Sequence, residues 1–131
     1  MRIEEFLEKS TETRSFAKGE CIVVRGQQAD AAYIIKQGKA KVYRDEGNEA
    51  PVMALLGPGE IFGEMAILRF DHYTLSVKAV EDVVAYVITP DMLHEQMRDA
   101  HPLMKKVLDT LLDRMKEVNQ VLMDIDQAGS I

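Results

Sequence analysis

The sequence predicts a mainly β fold with flanking helices, and two observations carry that prediction. From about Thr13 to Thr89, short runs of β-branched and aromatic residues follow one another closely, separated by glycine-containing breaks at Gly19, Gly26 and Gly38. Many short strands at this spacing read as a sandwich or small barrel. The last third repeats its apolar residues at alternating spacings of four and three, which is a helical period.

Taken in order, residues 2 to 9 alternate charge with Ile3, Phe6 and Leu7, a spacing that suits a short amphipathic lead-in helix. Strands are expected at Ile22-Val23-Val24, Tyr33-Ile34-Ile35, Ala40-Lys41-Val42-Tyr43, Val52 to Leu56, Thr74 to Val77 and Val83 to Ile88. The polar stretch Arg44 to Pro51 reads as a hairpin loop. Gly57-Pro58-Gly59 is a turn signal, and Ile61 and Phe62 close a strand after it. Gly63 lets the backbone approach a ligand, and Glu64 opens a short helix through Met65, Ala66, Ile67 and Leu68. Pro90 begins a helix over Asp91 to Arg98, and His101-Pro102 breaks it before a longer one. In that longer helix Met104, Leu108, Leu111, Met115, Val118, Leu122 and Ile125 form an unbroken coiled-coil seam, a signal for a partner helix. Val107, Leu112 and Val121 widen the stripe, as they would if the helix packed on its own barrel.

Composition narrows the function classes. At 131 residues the chain is expected to be a single domain, 1–131, with length enough for a real core and little room for a second. The formal net charge is -6 and no basic run forms a stripe, which argues against direct nucleic-acid binding. Cys21 is the sole cysteine, so no internal disulfide forms, and its apolar neighbours Ile22, Val23 and Val24 read it as a buried strand thiol. The start of the chain, with Arg2, Glu4 and Glu5, lacks the apolar core of a signal peptide, and no apolar run is long enough to cross a bilayer. A cytoplasmic location without a membrane partner is the expectation. Catalytic and metal arrangements are not found either. His94-Glu95 lacks a second histidine at metalloprotease spacing, Gly57-Pro58-Gly59-Glu60 lacks the lysine and hydroxyl of a nucleotide P-loop, and His72, His94 and His101 are scattered. A non-enzyme without metal or cofactor is expected.

Phe62-Gly63-Glu64-Met65-Ala66-Ile67-Leu68, followed by a short loop and Ser76-Val77-Lys78-Ala79, resembles the phosphate-binding cassette of cyclic nucleotide-binding domains. Such domains occur in catabolite-activator-type regulators, regulatory subunits of cyclic-nucleotide-dependent kinases, and gated channels. The similarity extends upstream through Phe16-Ala17-Lys18-Gly19-Glu20, Val24-Arg25-Gly26, Ala32 to Ile35 with Gly38, and Leu56 to Glu60. It implies a double-stranded β-helix jelly roll of eight strands over about 12–90, with C-terminal helices over about 91–126.

The resemblance also implies a binding site made of Ile61, Phe62, Gly63, Glu64, Met65, Ala66, Tyr73 and Thr74, with Asn119 or Gln120 of the long helix near the base. Glu64 matches the ribose-binding glutamate, and Gly63 and Ala66 match positions whose backbone lines the pocket. The free N–H groups at the start of the short helix attract the phosphate. One position departs from the family. Where the family places an arginine on the cyclic phosphate, an ungapped reading puts Tyr73, followed by Thr74; each offers a neutral hydrogen bond and no charge. The nearby cations are Arg69, His72 and Lys78.

These features imply a regulatory domain that binds a cyclic nucleotide, cyclic AMP or cyclic GMP. The ligand would act through the C-terminal helix, which would also pair two copies into a homodimer and signal to a downstream effector not named by the sequence. Tyr73 supports an alternative, a domain of this fold that has lost nucleotide binding and serves as a dimerisation or docking module, while retention of Gly63-Glu64 opposes it.

Overall fold

The computed structural model describes residues 1–44, 52–69 and 71–129, with positions 119 and 122–129 described by backbone alone. The described residues divide into two units, Met1–His94 and Glu95 onward. The hairpin loop expected at Arg44 to Pro51 lies outside the described residues from position 45 on.

The first unit opens with helix α1 (Ile3–Ser10), whose Leu7 is buried, and continues through β1 (Thr13–Phe16), β2 (Cys21–Val23), β3 (Ala32–Gln37), β4 (Ala40–Tyr43), β5 (Val52–Leu56) and β6 (Ile61–Phe62). Helix α2 (Glu64–Leu68), β7 (Ser76–Ala79) and β8 (Val83–Ile88) follow, and helix α3 (Pro90–Asp99) starts at the end of this unit. The strands β3, β4, β7 and β8 form where β-branched, aromatic and small apolar residues are buried, whereas β5 is largely exposed. Two antiparallel four-stranded sheets result, in the orders β1-β8-β3-β6 and β2-β7-β4-β5. Apart from the consecutive pair β4-β5, neighbours in each sheet are separated in sequence by other strands, which is the jelly-roll connectivity. The expected strand at Thr74 to Val77 begins two residues later, at Ser76, because Tyr73 and Thr74 belong to the loop beneath it. Cys21 lies in β2 as expected but is half-buried, with its Sγ 3.4 Å from the Tyr43 hydroxyl.

Between the sheets lie Ile35, Val83 and Ala85, each at most 1% exposed, and Ile67 of α2 at 0%. Phe16 meets the edge of Tyr33 at 5.6 Å between centroids, and Tyr33 stacks on Phe62 at 5.5 Å. This aromatic row fixes the depth of β6, and thereby the place where α2 starts.

The second unit contains helix α4 (Pro102–Gly129), begun by the proline that the sequence places at its first turn. Of its expected seam, Met104, Leu111, Met115 and Val118 are each at least half exposed and Leu108 is half-buried; the side chains of Leu122 and Ile125 lie outside the described residues.

Candidate functional site

The site begins at the Gly57–Glu60 turn. Gly59 takes a φ of +89°, its N–H donates to Ile35 O at 2.8 Å, and Ile35 N–H donates to Glu60 O at 3.0 Å. The Glu60 carboxylate accepts from Gly57 N–H at 2.8 Å and closes the turn. The chain is thus delivered in register to β6, with Ile61 opposite Ile34 and Phe62 opposite Tyr33.

Gly63 then adopts a φ of +84°, a conformation costly for any residue with a Cβ, and ends the strand in one step. A Cβ at this position would lie 3.2 Å from Ala31 O and 3.3 Å from Cε1 of Tyr73. Helix α2 follows at once with Glu64 in its first turn and Ile67 driven into the core. Its first N–H groups have no carbonyl of their own helix to bond. The end of α2 is held by His94, whose Nε2 lies 3.2 Å from Ile67 O, which gives this histidine a structural place. Among the described residues no group of histidine, cysteine and acidic side chains is arranged to hold a metal ion.

The loop from Arg69 to Leu75 is tied to residues 26–31. Ala29 N–H donates to Asp71 O at 3.1 Å, Tyr73 N–H to Gln27 O at 3.0 Å, and Gly26 N–H to Tyr73 O at 2.8 Å. Tyr73 is 6% exposed. Its hydroxyl accepts from Ala31 N–H at 3.2 Å and has its single proton to share between Ala31 O and Asp30 Oδ1, the latter at 3.1 Å. Burial is the main cause that pushes this phenol up to about 12. Tyr73 therefore lines the pocket while its hydroxyl clasps the Ala31 backbone and the Asp30 side chain.

Between α2, this loop and the inward faces of the second sheet lies a cavity of about 230 Å³. It is lined by Ile61, Phe62, Gly63, Glu64, Met65, Ala66, Tyr73 and Thr74, so eight of the nine residues expected at the site come together. The ninth, Asn119, lies on α4 with its side chain outside the described residues. Sequence reasoning missed the remaining walls, Val23, Val42, Leu56, Leu75 and Val77. Strand alternation was the available signal for Val42 and Val77, whose neighbours Lys41 and Lys78 point the other way.

The charge of the lining is one-sided. Glu64 is the one charged residue among the described residues lining the cavity, and none of the lining residues is basic. His72 is exposed and pairs with Asp71 at 3.4 Å, while Lys78 stands over the Tyr43 ring at 5.7 Å. No described side chain bonds the Glu64 carboxylate, leaving both its oxygens available as acceptors.

Comparison with known proteins agrees with this geometry. The model of the cyclic nucleotide-binding domain matches residues 13–100. The chain is 28% identical over 121 residues, 91% of its length, to a CRP-like cAMP-activated global transcriptional regulator of Mycobacterium tuberculosis, and spans 54% of that protein. It is 39% identical over 70 residues, 53% of its length, to the cyclic AMP receptor protein of Thermus thermophilus, and spans 32% of it. Among solved structures it is similar to an EAL enzyme in its cGMP-bound form, with 31% identity and a TM-score of 0.75 over 86% of this chain and 30% of that one. The cAMP-bound form of the same enzyme is similar too, at 30% identity and a TM-score of 0.73, covering 86% of this chain and 31% of that one. The chain thus spans about half or less of the length of each of these relatives, and among the described residues no helix is long and apolar enough to cross a membrane. With eight strands, a glycine-hinged cassette helix and a family model matched over two-thirds of its length, this chain belongs to the cyclic nucleotide-binding domain family.

Proposed function

We propose that the whole chain acts as one non-catalytic regulatory domain that binds cyclic AMP or cyclic GMP in the cavity between α2 and the second sheet. The ribose sits on Glu64, the base contacts apolar walls such as Val42 and Leu56, and the phosphate faces the first amides of α2. The observation that carries this reading is a carboxylate at the start of α2 that has no partner among the described residues and lines an otherwise uncharged cavity. A side chain with no internal partner there is the acceptor that sugar hydroxyls require. That one relative is known in both cGMP-bound and cAMP-bound forms supports leaving both ligands open. Signalling passes through α4, whose exposed apolar stripe pairs two copies. The ligand shifts this helix only by its differential affinity for two positions.

A thermal-shift titration tests the proposal. Saturating cyclic nucleotide raises the wild-type unfolding midpoint by mass action. Glu64→Ala weakens binding by roughly tenfold to a hundredfold, the worth of a charged hydrogen bond of about 1.5–3 kcal/mol. A variant that stays folded and binds as tightly as wild type removes Glu64 from the site. Wild-type protein indifferent to both nucleotides favours a docking module of the same fold, a reading that the uncharged Tyr73 supports.

A further inference from the structure

We infer that this pocket accepts the uncharged ribonucleoside about as well as the cyclic nucleotide, so that its ligand class extends to free nucleosides. The inference rests on the proposed seating of ribose on Glu64.

Three observations support it. A cyclic nucleotide carries a negative phosphate, yet no basic residue is among the described residues lining the cavity, and the one charge there, Glu64, is negative too. The phosphate therefore gains no charged bond from these walls and meets a like charge in a partly water-excluded space. Second, the neutral residue at the arginine position cannot compensate. Tyr73 lines the cavity, but its hydroxyl is already engaged with Ala31 and Asp30. Third, the free carboxylate suits a nucleoside better. In a 3′,5′-cyclic nucleotide the 3′ oxygen is esterified and the 2′-hydroxyl alone can donate to Glu64, whereas a nucleoside offers two adjacent hydroxyls to two carboxylate oxygens. Removing the phosphate gives up its bonds to the first amides of α2, but it relieves a repulsion and adds a donor to Glu64, while the base keeps its apolar contacts.

The test is a calorimetric comparison of adenosine with cyclic AMP and of guanosine with cyclic GMP on the wild-type chain. The expected result is a nucleoside Kd within tenfold of that of the matching cyclic nucleotide, or below it. A cyclic nucleotide preferred more than tenfold overturns the inference and leaves the proposed function standing, whereas no binding of either class overturns the proposed function itself. A second variant reads the cause. Thr74 is exposed and lines the cavity, so Thr74→Arg brings a cation to the pocket without disturbing the Tyr73 clasp. It should move the ratio of the two Kd values at least tenfold toward the cyclic nucleotide. An unchanged ratio would refute the link between the missing cation and the ligand class.

Discussion

Removing one oxygen atom, in Tyr73→Phe, tests how the cassette loop is held. Tyr73 is 6% exposed and Ala31 3%, so water does not readily replace the lost hydroxyl. The phenylalanine ring fills the same space against Gly63, but the Ala31 N–H and carbonyl lose the partner they share. Leaving buried backbone groups unsatisfied costs about 1–3 kcal/mol. At about 2 kcal/mol, a domain of this size loses roughly 8 °C in its melting midpoint. Urea titration should show a lower midpoint with an unchanged slope, since the surface exposed on unfolding is the same. The phenol adds a pH signature. Its folded-state value, raised to about 12, lies above the ordinary value near 10, so its contribution to stability is complete below about pH 10 and is lost as pH rises toward 12. Tyr73→Phe should remove that part of the alkaline loss, while Tyr33 and Tyr86, also raised, keep theirs. A variant that melts with wild type and shows the same alkaline profile would refute the clasp.

Gly63→Ala forces a Cβ into a left-handed backbone position and against Ala31 O and the Tyr73 ring, so it should lose about 1–2 kcal/mol in urea unfolding and weaken ligand binding as α2 shifts. Wild-type stability and affinity in that variant would mean that the hinge is not built as described. Leu111 is half exposed on the apolar stripe of α4, and Leu111→Lys should convert dimers to monomers in sedimentation by placing an unpaired charge in the paired face. Wild-type protein that sediments as a monomer at high concentration would end the pairing of α4.

Much of the site was legible because it is local. A glycine turn, a two-residue strand end, Gly63 and a carboxylate opening a short helix occupy consecutive positions, and local chemistry alone assigns them their conformations. The resemblance then supplied the roles. The structure of Tyr73 was not legible, since its hydroxyl partners lie 42 and 43 residues upstream, and nothing at position 73 tells a hydroxyl tied to its own chain from one aimed at a ligand. The apolar walls Val23, Leu56 and Leu75 were missed for a related reason: which inward-facing residues border a cavity and which fill the core depends on the spacing of the two sheets. In the fold, the strand runs marked the β elements except β1, whose Thr13-Arg14-Ser15-Phe16 contains no apolar run. The boundary at Thr74 failed because a threonine next to a strand carries the same propensity whether the ladder includes it or not.

Calorimetric titration of the wild-type chain with cyclic AMP and cyclic GMP, run beside Glu64→Ala, tests the central claim most directly. The account predicts one ligand bound per chain for at least one nucleotide, with the affinity reduced roughly tenfold to a hundredfold by the substitution. Heat of dilution alone from a folded wild-type chain at millimolar nucleotide, or binding that Glu64→Ala leaves intact, would contradict it.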